Sequence, residues 1–249
     1  MRFHLGEFEV VSLEPADIIS LLKSHSSDGS FIHLVTFNSL MYLDALKNPE
    51  FKECLKSADI LMAESSGIRW AARFLYNLDV KILAGVDLIE ELFRASSVAD
   101  PALSFYFLGA RPGVAERAAG NVMARWPGVK ICGVRDGFGG MADAGEAARA
   151  VARAGADVLV AGLGSPRQEL FIRRHRAELG AGGLRLAVGV GGALDVFAGS
   201  LRRAPRPARA LGLEWFWRAL QEPRRLPRIA RLIEFVAEVV KLKLKKPAL

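Results

Sequence analysis

Glu64 closes a short apolar run, Ile60–Met62, in the stretch Ala63-Glu64-Ser65-Ser66-Gly67. Desolvation at the end of a buried strand moves a carboxyl towards the working range of a general base. The competing reading is a carboxylate held at a helix N-terminus by the dipole. Polar residues follow other apolar runs in the same way: Thr36 and Asn38 after Phe31–Val35, Asp136 after Val129–Cys132, Gln168 after Asp157–Val160, and Asp195 after Leu184–Val190. Gln168 falls in the first turn after Pro166, where it faces either the site or solvent. Asp87 precedes an apolar helix and reads as its N-terminal cap. Glycines accompany these residues at Gly109, Gly137 (followed by Phe138), Gly162 and Gly164. Glycine loops after strands leave backbone N–H groups free, and helix N-termini favour anions, so the set suits a diphosphate. Tight turns between packed elements are the alternative. No loop has the full G-x-G-x-x-G spacing or a Walker lysine, which disfavours a dinucleotide oxidoreductase and a P-loop enzyme. The four histidines are scattered and no Asp-x-Asp occurs, so no metal site is expected. His33, inside an apolar strand, reads as a satisfied core histidine.

Those residues need a scaffold, and the pattern around them supplies one. Continuous apolar runs end in glycine loops and enter helical patterns repeatedly, as from Leu103–Leu108 through Gly109–Gly113 into VAERAAGNVMARW. Such alternation predicts an α/β fold: a Rossmann-like, mostly parallel sheet with helices on both faces. Ligands of such sheets bind beyond the carboxyl ends of the strands, where each loop named above lies. The Ala/Arg-rich stretch 143–154 reads as a solvated helix. Near Gly199 the strands stop and arginine, proline and tryptophan rise. Residues 1–198 are therefore expected to form the α/β domain and 199–249 a helical appendage, with helices over 208–221 and 228–246 parted by Pro223 and Pro227.

The 249 residues, 51% of them hydrophobic, suffice for one large α/β core and an appendage. The net charge of +7 resides in the tail, where residues 200–249 hold thirteen Lys and Arg against four Glu. That segment is also apolar, with Trp215, Phe216, Trp217, Ile229, Leu232, Ile233, Val236, Val239 and Val240. Basic and apolar residues on one helical segment favour an anionic membrane surface over a nucleic acid. Arg218, Arg225 and Arg228 are spaced i, i+7, i+10; their guanidinium forks match phosphate geometry, or else they form a solvated basic face. Cys54 and Cys132 make no disulfide framework, which fits a reducing compartment. The N-terminus MRFHLGEFEV lacks a signal-peptide core, and no run of ~18 apolar residues occurs, so membrane contact is expected to be peripheral.

Taken together, the chain resembles the WecG/TagA/CpsF glycosyltransferases (glycosyltransferase family 26). The matching stretches are Thr36-Phe37-Asn38, Ser57 through Gly67, Gly85-Val86-Asp87, Phe107 through Gly113, Gly162-Leu163-Gly164-Ser165-Pro166-Arg167-Gln168-Glu169, Gly189–Gly192, and Arg203-Ala204-Pro205 through Gly212, Trp215, Arg218 and Glu222–Arg225. The resemblance implies an inverting, metal-independent transferase, without cofactor, that uses a UDP-sugar donor and an undecaprenyl-diphosphate-linked sugar acceptor in cell-surface polymer synthesis. Thr36, Asn38 and Gln168 match the family's functional positions. Gly109, Asp136, Gly137, Phe138, Gly162, Gly164 and Asp195 are expected at the UDP-sugar, and Arg218, Arg225 and Arg228 at the lipid diphosphate. The family usually has Pro-Asp-Gly where this chain has Ala63-Glu64-Ser65; its Asp is the proposed base, so Glu64 takes that role. Ile82 stands near where an Arg commonly precedes Gly-x-Asp. The expected donor is UDP-N-acetylmannosamine or a related hexose, and the expected location is the cytoplasmic face of the bacterial membrane, with a homo-oligomer possible. The alternative is a catalytically altered UDP-sugar-binding protein of the same fold.

Overall fold

The computed structural model describes residues 1–24, 30–99, 102–210, 212, 214–221 and 227–245. Among the described residues eight strands form one sheet: β1 (Arg2–Leu5), β2 (Phe8–Val11), β3 (Ile32–Phe37), β4 (Ile60–Ala63), β5 (Ser104–Gly109), β6 (Lys130–Arg135), β7 (Val158–Gly162) and β8 (Leu186–Gly189). Their order is β1-β2-β4-β3-β8-β7-β5-β6, parallel throughout except for the antiparallel pair β1–β2. That N-terminal hairpin is an addition to the expected parallel strands. Its signal is present in the sequence: Phe3, Leu5, Phe8 and Val10 alternate with exposed residues, and Gly6 turns the chain at φ +59°.

Because successive strand residues point to opposite faces, each interior strand feeds two cores. Leu34, Phe105, Phe107, Val158 and Val160 pack beneath α1 (Pro15–Ser24), α5 (Gly85–Ser96), α6 (Val114–Arg125) and α10 (Ala193–Phe197). On the other face, Val35 and Phe37 pack under α2 (Ser39–Lys47), α3 (Pro49–Lys56) and α4 (Ser66–Tyr76). Tyr106, Leu108, Leu159 and Ala161 meet α7 (Ala144–Ala154), α8 (Arg167–Arg174) and α9 (Arg176–Ala181) there. β3 and β8 are neighbours in the sheet though far apart in sequence. The chain leaves β3 towards β4 on one side, while β8 belongs to the other half, and a crevice opens where the two halves part.

The tail forms α11 (Arg206–Ala210), α12 (Glu214–Gln221) and α13 (Pro227–Lys245). α13 is built into the body. Phe235 and Val239 are fully buried in the same core as Tyr42, Ile68 and Leu75. The Phe235 ring meets Tyr42 edge-on at 5.8 Å, and Arg231 pairs with Asp44 at 2.7 Å. The opposite stripe of α13, Ile233, Val236, Val240 and Leu244, is exposed. Trp70 and Phe74, stacked at 5.2 Å, continue this apolar surface from α4. Lys243 reaches back over Phe74, and Lys241 and Lys245 flank the stripe. No described helix is long and apolar enough to cross a membrane.

Candidate active site

Three helix N-termini converge at the carboxyl ends of β3 and β4, each capped by a residue of the crevice. Asn38 caps α2, its Oδ1 accepting from the amides of Leu40 and Met41 at 3.1 and 3.2 Å. Ser65 caps α4 through the Ile68 amide. α5 has no side-chain cap of its own, and Glu64 supplies one: its Oε1 accepts from the Gly85 amide at 3.1 Å. Its Oε2 accepts from Asn38 Nδ2 at 3.2 Å. A charged acceptor there gains from the positive end of the helix dipole. The helix-terminus reading and the base reading of Glu64 thus describe one carboxylate, half-buried and fixed in direction.

Glu64 and Asn38 line a cavity of about 730 Å³ that also touches Ser66, Trp70, Gly85, Asp87, Val190, Arg203, Arg209, Phe235 and Val236. Polar and apolar side chains both line it, and residues of the tail contribute to the lining. Asp87 is a first-turn residue of α5 and not its cap. Its carboxylate takes both Nη atoms of Arg203 in a bidentate pair, and Arg209 approaches at 3.8 Å. Glu214 flanks Arg203 at 3.6 Å. The Nε atoms of Arg203 and Arg209 are buried without a hydrogen-bond partner among the described residues. Arg203 and Arg209 were not among the expected site residues; the signal was the placement of Arg203 in the Arg-Ala-Pro stretch.

Thr36 does not line this cavity. Its Oγ1 donates to the Gly189 carbonyl at 2.9 Å, tying β3 to β8, and its methyl abuts Gly85. Gln168 is buried beneath the loops with its carboxamide engaged internally, so it is neither solvated nor aimed into the cavity. Arg225 lies outside the described residues, as do the side chains of Arg218 and Arg228.

The glycine loops form a second part of the same sheet edge. A Cβ on Gly109, whose φ is +130°, would strike the backbone of Gly162. Ala110 N donates to Gly162 O at 3.1 Å, and Gly137 N donates to Ala110 O at 2.8 Å. The amides of Gly137 and Gly164 are therefore not free, contrary to expectation: Gly164 N donates to Gln168 Oε1 at 3.1 Å. Glycine serves here chiefly for close approach, which leaves a rim with few side chains. Asp136 folds the next loop by accepting from the amides of Phe138 at 2.8 Å and Gly140 at 3.1 Å. Those amides, Phe138 first, hold its carboxyl below the usual range. The turn leaves the Phe138 ring 62% exposed beside the rim. Asp195 sits in the first turn of α10, whose Ala193 and Val196 line the cavity, so α10 joins the two parts. His33 is buried in β3 as expected, but its Nε2 has no hydrogen-bond partner among the described residues. Burial lowers its pKa to about 4.

Residues 3–248 match the model of the glycosyl transferase WecG/TagA/CpsF family. A Bacillus spizizenii protein named N-acetylglucosaminyldiphosphoundecaprenol N-acetyl-beta-D-mannosaminyltransferase is 30% identical over 240 residues, 95% of this chain and 90% of that protein. A Bacillus subtilis protein of the same name is 28% identical over 224 residues, 90% of this chain and 85% of that protein.

Proposed function

This chain belongs to the glycosyl transferase WecG/TagA/CpsF family and is a hexosyltransferase; from that premise we propose that it moves N-acetylmannosamine or a related hexose from a UDP-sugar to an undecaprenyl-diphosphate-linked sugar. The relatives' names place N-acetylglucosamine on the acceptor lipid, and the same acceptor is proposed here. The observation that carries the reading is Glu64, held between Asn38 and the α5 N-terminus on the wall of a large cavity.

In this mechanism an acceptor hydroxyl gives its proton to Glu64 as its oxygen attacks the anomeric carbon. The bond from that carbon to the UDP oxygen breaks, and the configuration inverts. Asn38 aims the carboxylate, while Thr36 and Gln168 hold the strands and loops that set the distance between the reactants. The nucleotide lies along the Gly109, Gly137, Gly162 and Gly164 rim, with Asp136, Phe138 and Asp195 at its borders. Leaving-group charge is met at the rim by the N-termini of α6 and α8, which carry no side-chain cap, and requires no metal. Arg218, Arg225 and Arg228 are assigned to the lipid diphosphate.

The membrane-facing surface is the exposed stripe of α13 with Trp70 and Phe74. An apolar stripe flanked by lysines suits an anionic leaflet at the cytoplasmic face, bound peripherally. A panel of UDP-sugars with a short-chain lipid-diphosphate-N-acetylglucosamine acceptor tests the whole reading. Transfer from one UDP-hexose with inversion is the expected result. UDP binding with no transfer to any such acceptor points instead to the altered binding protein.

A further inference from the structure

Glu169 is an ionisable side chain that the mechanism above leaves unused. It lies at the start of α8 with no exposed surface. Its Oε1 accepts from Gln168 Nε2 at 2.7 Å, while its Oε2 is buried with no hydrogen-bond partner among the described residues. Gln168, 3% exposed, turns its own Oε1 towards two backbone amides, Gly164 after β7 and Gly191 after β8, each at 3.1 Å. A Cβ on Gly189 would fall on the Gln168 carboxamide, so the glycine leaves the room that this side chain takes.

A carboxamide has nearly the same shape in its two flipped orientations, and only its neighbours choose between them. Flipped, the Gln168 NH₂ would confront the two loop amides, donor against donor. The acceptor that Glu169 sets opposite Nε2 secures the orientation found. We infer that Glu169 is a positioning residue: through Gln168 it clamps the β7 and β8 loops together and thereby sets the shape of the rim. The consequence for the donor rests on the reading of that rim as the UDP-sugar side.

Either protonation state of Glu169 can accept from Gln168 Nε2, and that bond by itself favours the charged form, but burial outweighs it and favours the neutral one. The groups facing it are the Ser165 hydroxyl and Gln168 on its own segment, the Glu64 carboxylate beyond β4, and the Cys54 thiol of α3. Burial pushes the Glu169 carboxyl up to about 7, with Glu64 adding to the rise. Burial likewise pushes Cys54 up to about 12, so that thiol stays neutral. Above neutrality a buried charge must form with no cation against it among the described residues, and the packing beneath the loops has to yield.

The experiment uses the full chain and measures donor KM, kcat and the UDP dissociation constant from pH 6 to 9. The parent, Glu169→Gln and Glu169→Ala are compared. Glutamine keeps an oxygen opposite Nε2 and never ionises. The parent's kcat/KM for the donor is expected to fall about tenfold per pH unit above neutrality, as for loss of one essential protonated group. Glu169→Gln is expected to match the parent at pH 6 and to lack that limb. Glu169→Ala is expected to raise the donor KM about tenfold or more, with a smaller change in kcat. The inference is overturned if the alkaline limb is the same in Glu169→Gln, or if Glu169→Ala shows parental donor kinetics. Where Glu169→Ala fails to fold, the Glu169→Gln profile decides. A parent that binds neither UDP nor a UDP-sugar removes the functional reading and the donor-side inference with it. A parent that binds UDP beside variants identical to it removes only the inference.

Discussion

Replacing Glu64 by glutamine separates its two roles, because the structural cost and the catalytic cost differ in size. The new carboxamide can still accept from the Gly85 amide with its carbonyl, preserving that contact. Its NH₂ would then face Asn38 Nδ2. Asn38 cannot turn its oxygen round in answer, since Oδ1 is occupied by the amides of Leu40 and Met41. One charge-assisted hydrogen bond is lost, worth about 1.5–3 kcal/mol where buried and less at this half-buried position. The charge at the α5 N-terminus adds about 0.3–1 kcal/mol. A total near 2 kcal/mol lowers the melting temperature by about 4–8 °C in a chain of this size. Removing a general base costs turnover about 10²–10⁴-fold, or roughly 3–5 kcal/mol at about 1.4 kcal/mol per decade. The assays are calorimetric melting, UDP titration and initial-rate transfer with a saturating donor. UDP affinity should change by less than about threefold, and Glu64→Asp should recover most of the turnover by restoring a carboxylate. A Glu64→Gln enzyme that melts lower as stated but turns over within about twofold of the parent would show that Glu64 is only the cap of α5.

Phe235→Ala should cost about 3–5 kcal/mol in urea unfolding, because the ring is buried against Tyr42 and Trp70; a loss below about 1 kcal/mol would mean that α13 is detachable. The double change Ile233→Glu and Leu244→Glu alters exposed side chains, so melting should move little while sedimentation with anionic liposomes falls about tenfold or more. Parental liposome binding by that variant would move the membrane surface elsewhere. Melting temperature should also depend on pH through Glu169, whose folded pKa of about 7 stands above the ordinary 4.5. Between those values the unfolded chain holds fewer protons, so stability falls as pH rises towards 7 and then levels. Glu169→Gln should therefore out-melt the parent most at about pH 8 and lose that advantage by about pH 4.5; a pH-independent gap refutes the assignment.

The sheet was legible from sequence because each interior strand is a continuous apolar run that ends in glycine, a pattern that burial on both faces imposes locally. The hairpin β1–β2 carries a different local sign, alternation, because only one face of it meets the core. Residue type and spacing also placed Thr36, Asn38, Glu64, Gln168 and the glycines on one edge of the sheet. Which way their side chains turn was a different question. Gln168 turns under the loops because Gly189 leaves it room there and two loop amides need an acceptor. Asp87 meets Arg203 and not a helix amide because the tail folds back across α5. The two apolar stripes of α13 read as one basic, apolar helix until Tyr42 and Trp70 claimed one of them. Local periodicity records only that a face avoids water; whether a core, a ligand or a lipid covers it depends on partners far away in the chain, which tertiary folding alone brings into contact.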